Sequence, residues 1–242
     1  MFAVATILQV PGPPSGYEGE VRYSIRAREK RSFHTVLDAK RMISGSSDPV
    51  SVVRHVAEEN GLRIEMDHPI LTGTLTETLS CSFEKDGLLA RSLSRRTVGT
   101  DGRVVRDEKV DDFLHDAIGL PRATYPEVFL PFILGFFPRD DERRSVYAWI
   151  NDRFVAKVYV ERIGRTTLRT PEGRRIEAEE LVMYPDLNDW VALGSLLSRL
   201  AKPFAPKYRM WFDVTSPYRV ARFEGPYGPP GAPEVVLDRL ES

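Results

Sequence analysis

The sequence predicts a mainly β protein, an antiparallel curved sheet or incomplete β-barrel with three or four short helices packed on its open side. Apolar and polar residues alternate along most of the chain, the period of a strand with one buried and one wet face. The alternating runs follow one another directly across short Gly-, Asp- and Asn-containing turns, so neighbours in sequence are expected to pair antiparallel, in a meander. No long linker and no internal repeat interrupts them, which makes residues 1–242 a single half-barrel domain.

The first clear run is residues 19–28, GEVRYSIRAR, with Val21, Tyr23, Ile25 and Ala27 on one face. Residues 31–42 are read as its partner strand or as a helix. The period then changes. Ser47 or Asp48 can cap a helix over residues 48–61, Pro49 suits its first turn, Val52, Val53 and Val56 give it an apolar stripe, and Gly61 stands where a helix stops. Strands resume at 62–67, 74–84, 88–98 and 103–110, with hairpin signals at Lys85-Asp86-Gly87 and Gly99-Thr100-Asp101-Gly102. A short helical stretch is expected near 111–118. Strands follow at 145–150, 154–167 and 174–184, turning at Asn151-Asp152 and Pro171-Glu172-Gly173. Residues 186–202 read as a helix, with Trp190, Leu193, Leu196, Leu197 and Leu200 at helical spacing. Strands 208–213 and 218–224 come next, and the tail GPYGPPGAPEVVLDRL runs from a polyproline-like start to an apolar stretch able to dock.

The most apolar segment is YPEVFLPFILGFFPRDD, residues 125–141. Its uncharged part, broken by Pro131, is too short to cross a bilayer, which takes ~20 apolar residues. Thr124 and Pro126 can start a brief helix, and Gly135 and Pro138 end it. Residues 124–137 are therefore expected as a buried plug across the mouth of the half-barrel. Phe132, Phe136 and Phe137 either fill that mouth or leave room for a guest.

The closing half carries a distinctive series: an apolar segment ending in proline, then SVYAWINDRFVAKVYVERIG, TPEGRRIEAEELVMY, a helix, and YRMWFDVTSPYRVARFEGPYG. Over residues 120–228 it resembles a bacterial domain family of unknown function whose members have the half-open barrel of periplasmic lipoprotein carriers. The likeness falls on Trp211, Phe212, Tyr218, Arg219 and the ARFEG of residues 221–225, and on Gly173 before a strand that runs into the core. It implies a concave sheet that can hold an acyl chain or another apolar molecule, with helices as a lid.

Composition removes several function classes. With 34 basic and 35 acidic residues the net charge is −1, so nothing favours nucleic acid. Cys81 is the only cysteine, and His34, His55, His68 and His115 include no pair at zinc-helix spacing. Neither a metal nor another cofactor is expected. No nucleophile elbow, phosphate loop or dinucleotide fingerprint is present. MFAVATILQVPGPP lacks the basic and long apolar regions of a secretory signal, giving a cytoplasmic expectation.

Polar residues on apolar faces mark the candidate sites. His68 follows Leu62, Ile64 and Met66; Glu77 shares a face with Leu75, Leu79, Cys81 and Phe83; Glu180 shares one with Ile176, Ala178, Val182 and Tyr184. An inward carboxylate or imidazole can serve as a general acid or base, and equally as half of a structural ion pair, for instance with Arg222. Phe132, Phe136, Phe137, Trp149, Tyr159 and Trp211 are the aromatics able to line a ligand cavity, or simply to build the core. Arg91, Arg95, Arg96, Arg103 and Arg106 crowd one hairpin, as a membrane-surface patch or a charge-protected edge. The leading expectation is a binding protein for a lipid-like or polycyclic apolar molecule. A cofactor-free proton-transfer enzyme using His68, Glu77 or Glu180, or an assembly protein, are the alternatives. The oligomeric state is left open.

Overall fold

The computed structural model describes residues 6–7, 10, 12–13, 16–27, 49–70, 72–85, 87–113, 120–136, 143–151, 154–186, 207–214, 219–226 and 234–241. In chain order the strands are β1 (Thr6–Ile7), β2 (Gly19–Ala27), β3 (Val50–Glu58), β4 (Gly61–Ile70), β5 (Gly73–Glu84), β6 (Gly87–Gly99), β7 (Val104–Asp112) and β8 (Thr124–Pro126). They continue as β9 (Arg144–Asn151), β10 (Phe154–Arg169), β11 (Arg175–Pro185), β12 (Tyr208–Asp213), β13 (Val220–Pro226) and β14 (Glu234–Arg239). All belong to one large sheet of order β1-β9-β10-β11-β12-β13-β14-β2-β3-β4-β5-β6-β7, open rather than closed into a barrel. The mainly β, antiparallel, incomplete-barrel reading is the observed fold.

Two meanders make up this sheet, β2 to β7 and β9 to β13, and β14 joins them by pairing antiparallel with β13 on one side and β2 on the other. The tail stretch EVVLDR thus forms a central strand. Val235, Val236, Leu237 and Asp238 are all buried, as a strand covered on both faces requires. Asp238 accepts hydrogen bonds from Arg26 Nε (3.1 Å) and Nη2 (3.0 Å) on β2 and from Arg222 Nε (2.5 Å) on β13. One buried carboxylate therefore clasps both meanders. The two short strands β1 and β8 run parallel to β9 along its outer edge.

Residues 48–61 depart from the helical expectation. They contain β3 and its turn into β4, with Ser51, Val53 and His55 buried in strict alternation. β-Branched valines flanked by strand partners on both sides favour the pleated form over a helix. Gly61 does not end a helix. It opens β4, where a Cβ would lie 2.1 Å from the Cys81 carbonyl oxygen, so only glycine permits the β4–β5 approach.

Residues 124–137 also differ in detail. Thr124–Pro126 pair with β9 before a 3-10, α and 3-10 turn cover residues 127–136, while Phe137 lies outside the described residues. Pro131 falls in the first turn of the α portion, where its missing N–H leaves no bond unmade. This segment is the one helical element among the described residues. The expected helix at 186–202 falls almost wholly outside them, as does the 31–42 segment. Of 111–118, Asp111 and Asp112 end β7 and 114–118 lie outside.

The core lies between the plug and the sheet's inner face. Phe129, Leu130, Phe132, Ile133, Leu134 and Phe136 form one cluster with inner residues such as Val53, Ile64, Met66, Leu79, Val160, Met210 and Phe223.

Asp238→Asn should cost about 2–3 kcal/mol, the scale of lost hydrogen bonds to a charged group. Arg26→Gln should cost under about 1 kcal/mol, because its side chain is 59% exposed. Urea unfolding midpoints check both; equal and negligible shifts would remove the clasp from the account of stability.

Candidate functional site

Three tyrosines pin the plug. Tyr125, on β8, donates its hydroxyl to the Leu88 carbonyl at 2.5 Å. Tyr208 on β12 donates to the Glu127 carboxylate at the plug's start. Its ring fits because Gly225, opposite it on β13, has no side chain; a Cβ there would meet Tyr208 Cδ1 at 3.0 Å. Burial pushes the Glu127 carboxyl above its usual range, partly offset by this hydrogen bond. Tyr17, just before β2, donates to the Phe132 carbonyl at 3.2 Å. Its ring meets Phe136 edge-on at 4.3 Å and His55 edge-on at 4.5 Å. Tyr23 lies 5.6 Å from the Phe132 ring.

His55 is the chemically unsettled member of this group. It is 4% exposed, and its Nε2 is buried without a hydrogen-bond partner. Burial first, then the positive charge of Arg219, pull its pKa from 6.5 to about 3, and a hydrogen bond with the Phe132 backbone opposes them. Arg219 sits at the rim, where Nη2 donates to the Glu18 carbonyl at 2.9 Å and lies 3.4 Å from the place a Gly19 Cβ would take. Gly19 is the β2 residue paired with His55. Among the described residues no carboxylate pairs with Arg219. Neither His55 nor Tyr17 was singled out from the sequence, because the helical reading of 48–61 hid the alternation of Ser51, Val53 and His55.

A second polar group lies deeper, on β3, β4, β5 and β6. It joins two of the predicted residues. The Ser51 hydroxyl donates to the Asp67 carbonyl (3.0 Å) and lies 3.0 Å from His68 Nδ1. With the hydroxyl proton committed to that carbonyl, hydrogen-bond accounting assigns the imidazole proton to Nδ1. His68 Nε2 faces Glu77 Oε2 at 3.8 Å, and Glu77 Oε1 accepts from Arg95 Nε at 2.6 Å. Burial lowers the His68 pKa, with Glu77 and Asp67 acting in the opposite sense. The arrangement could relay a proton between imidazole and carboxylate. It also contains a structural ion pair, Arg95 with Glu77.

Glu180 is not part of it. Its carboxylate accepts from Arg209 Nε at 2.8 Å, across the sheet from β4 and β5. The alternation of β11 changes phase between Ala178 and Leu181, so Leu181 and Met183 enter the core while Val182 and Tyr184 are half-buried on the face of Glu180. The predicted aromatics divide similarly. Phe132 and Phe136 pack in the plug, and Trp149 meets Phe113 edge-on at 5.4 Å. Trp211 pairs with Glu180 and Arg222 across neighbouring strands and lies under the Arg209 guanidinium at 4.8 Å, outside the core cluster. Tyr159 is half-buried beside Tyr184, with its hydroxyl on Asp186. Of the hairpin arginines, Arg91 pairs with Glu84, Arg95 with Glu77, Arg103 with Asp101 and Arg106 with Glu108, which dilutes the cationic patch.

No family model matches the chain, and no curated protein does. Solved structures similar to it include a β-barrel-like protein of the domain of unknown function DUF1849 from Brucella abortus. The two share 9% identity over 92% of this chain and 95% of that one, with a TM-score of 0.41. Another is a putative exported protein with a YmcC-like fold from Bacteroides fragilis, at 12% identity over 97% and 96% of the chains, with a TM-score of 0.27. Among the described residues no three His, Cys, Asp or Glu side chains gather as a metal-binding group, and no helix is long and apolar enough to cross a membrane.

His55 makes stability pH-dependent with a definite sign. Its folded pKa lies below the unfolded value, so the unfolded chain binds more protons between about 6.5 and about 3, and stability falls as pH falls through that window. His55→Phe should flatten that part of the profile, measured as denaturation midpoints at several pH values. A profile parallel to that of the parent would show that His55 is not neutral in the fold.

Proposed function

We propose that this protein binds an apolar small molecule or lipid chain between its curved sheet and the plug. The observation that carries this reading is how the plug is attached. Residues 127–136 satisfy much of their own backbone as helical turns and touch the sheet through side chains, with hydroxyl bonds from Tyr17 and Tyr208 as polar ties. Lifting the segment therefore breaks no strand ladder. An extended strand in the same place could not leave without forfeiting its backbone pairing.

Magnitudes set the size of the guest. Burying side chains such as Leu130, Phe132, Ile133 and Phe136 contributes roughly 1.5–3 kcal/mol each, and a buried methylene about 0.8 kcal/mol. A chain of about ten methylenes is then needed to replace the plug's apolar contribution. Short molecules cannot compete with it.

The test is displacement of the fluorescent probe N-phenyl-1-naphthylamine by linear alcohols. Tetradecanol should compete and hexanol should not; a protein that takes up no probe sinks the binding reading. Tyr208→Phe unties the plug's first residue. It should speed probe uptake several-fold in stopped-flow fluorescence while costing about 1 kcal/mol of stability.

A second reading, proton-transfer chemistry, is supported by the facing of His68 Nε2 and Glu77 Oε2 at 3.8 Å. The nearby Arg95 weakens it, since Glu77 Oε1 is already held by that guanidinium at 2.6 Å. Imidazole 15N shifts decide whether His68 is set for that role. A fixed Nδ1–H tautomer that does not titrate between pH 5 and 8 marks a structural network.

A further inference from the structure

The mouth of the half-barrel holds hydrogen-bonding capacity that the fold itself does not use. His55 Nε2 is buried with no partner, which is costly in an apolar surrounding of Tyr17 and Phe136 rings. Arg219, at the same rim, has no carboxylate partner among the described residues. Gly19 leaves the inner face of β2 bare beside His55, and the Arg219 guanidinium lies over that bare position. Gly19 itself is exposed, so the spot opens to water on one side while the imidazole is enclosed on the other.

The plug supplies an oxygen to this group. The Phe132 carbonyl accepts the Tyr17 hydroxyl at 3.2 Å and also hydrogen-bonds with His55. When the plug lifts, that oxygen leaves with it, and Tyr17 and His55 lose their acceptor together. A guest that displaces the plug has to return an oxygen to the same place, or leave two buried donors unsatisfied.

We propose that Arg219, His55 and Tyr17 form the head-group site for the carboxylate of a long-chain carboxylic acid, whose alkyl chain takes the plug's place against the sheet. The chemistry of each member fits. Arg219 brings the compensating charge and a planar fork that matches a carboxylate. Once the Phe132 carbonyl has left, His55 can donate its one N–H to the guest, so it need not become charged to take part. Tyr17 keeps its proton, since burial pushes its hydroxyl pKa upward, and it can donate to the incoming oxygen as it does to Phe132. An acid with its charge at the rim and its chain inward follows the gradient from exposed Gly19 to the buried ring of Phe132.

This assignment rests on the binding reading above, and one experiment separates the two. Tetradecanoic acid and tetradecanol, equal in chain length, compete against N-phenyl-1-naphthylamine at pH 7.5 with the parent chain and three variants. The acid should bind about tenfold or more tightly than the alcohol, the scale of a charge-assisted hydrogen-bond set. Arg219→Gln, at a half-buried rim position, should weaken the acid about tenfold and bring it level with the alcohol. His55→Phe, which keeps the ring volume and removes the N–H, should narrow the acid's advantage as well. Arg103→Gln, on the far β6–β7 turn, should leave the acid-to-alcohol ratio as in the parent. If the probe binds and both ligands compete equally, or if Arg219→Gln leaves the ratio unchanged, the head-group site is overturned while apolar binding survives. If the probe does not bind at all, the binding reading itself has failed.

Discussion

The continuity of this sheet depends on β14, which backbone ladders join to both neighbours and one buried carboxylate ties to both meanders. Asp238 receives Arg26 from the first meander and Arg222 from the second, while the strand that carries it hydrogen-bonds to both. Without this strand the two meanders would share no backbone ladder, because β2 and β13 are not neighbours. The concave face would then be two separate sheets, each with a raw edge. Closure of this kind is long-range, and contacts between residues about two hundred positions apart form only after much chain entropy has been lost. A charged pair is a weak route to stability in general, yet a clasp that demands one partner from each half fixes register as no apolar contact does.

The plug follows the opposite logic. β14 is bound by backbone and buried on both faces; the plug is bound by packing and a few phenolic hydroxyls. Apolar packing is strong but undirected, and another apolar body can replace it. Two regions of one sheet are thus held by different physics. The clasp is directional, and the packing at the mouth is not.

The strands of both meanders were legible because each buries one face, so the side-chain period is written into the chain. The exceptions have physical causes. For residues 48–61, a capping serine, a proline and a glycine imitate helix punctuation, and only pairing with β2 and β4 shows that the valines belong to a pleat. β14 follows a proline- and glycine-rich stretch and is buried on both sides, so it shows no alternation to read. Glu180 keeps the face of Ile176, Ala178, Val182 and Tyr184 that counting in twos gives, but the buried face of β11 changes along the strand, so at Leu181 and Met183 the other face enters the core. His68 and Glu77 face each other because Met66 and Glu77 are direct partners on β4 and β5, a register that alternation within each strand does not give.

His55 explains why the mouth, rather than the deeper network, holds the open question of function. Around His68 the fold supplies Ser51 at Nδ1, and Arg95 for the Glu77 carboxylate that faces Nε2. Such a network specifies a core and asks for nothing further. Around His55 stand aromatic rings, a borrowed backbone carbonyl and an arginine that meets no carboxylate among the described residues. A phenylalanine at that position would keep the packing and avoid burying an unmet nitrogen, so packing alone gives no reason for an imidazole there. Sequences that fold well are consistent at every level, and departures such as an unmet buried polar group concentrate at functional or strained sites.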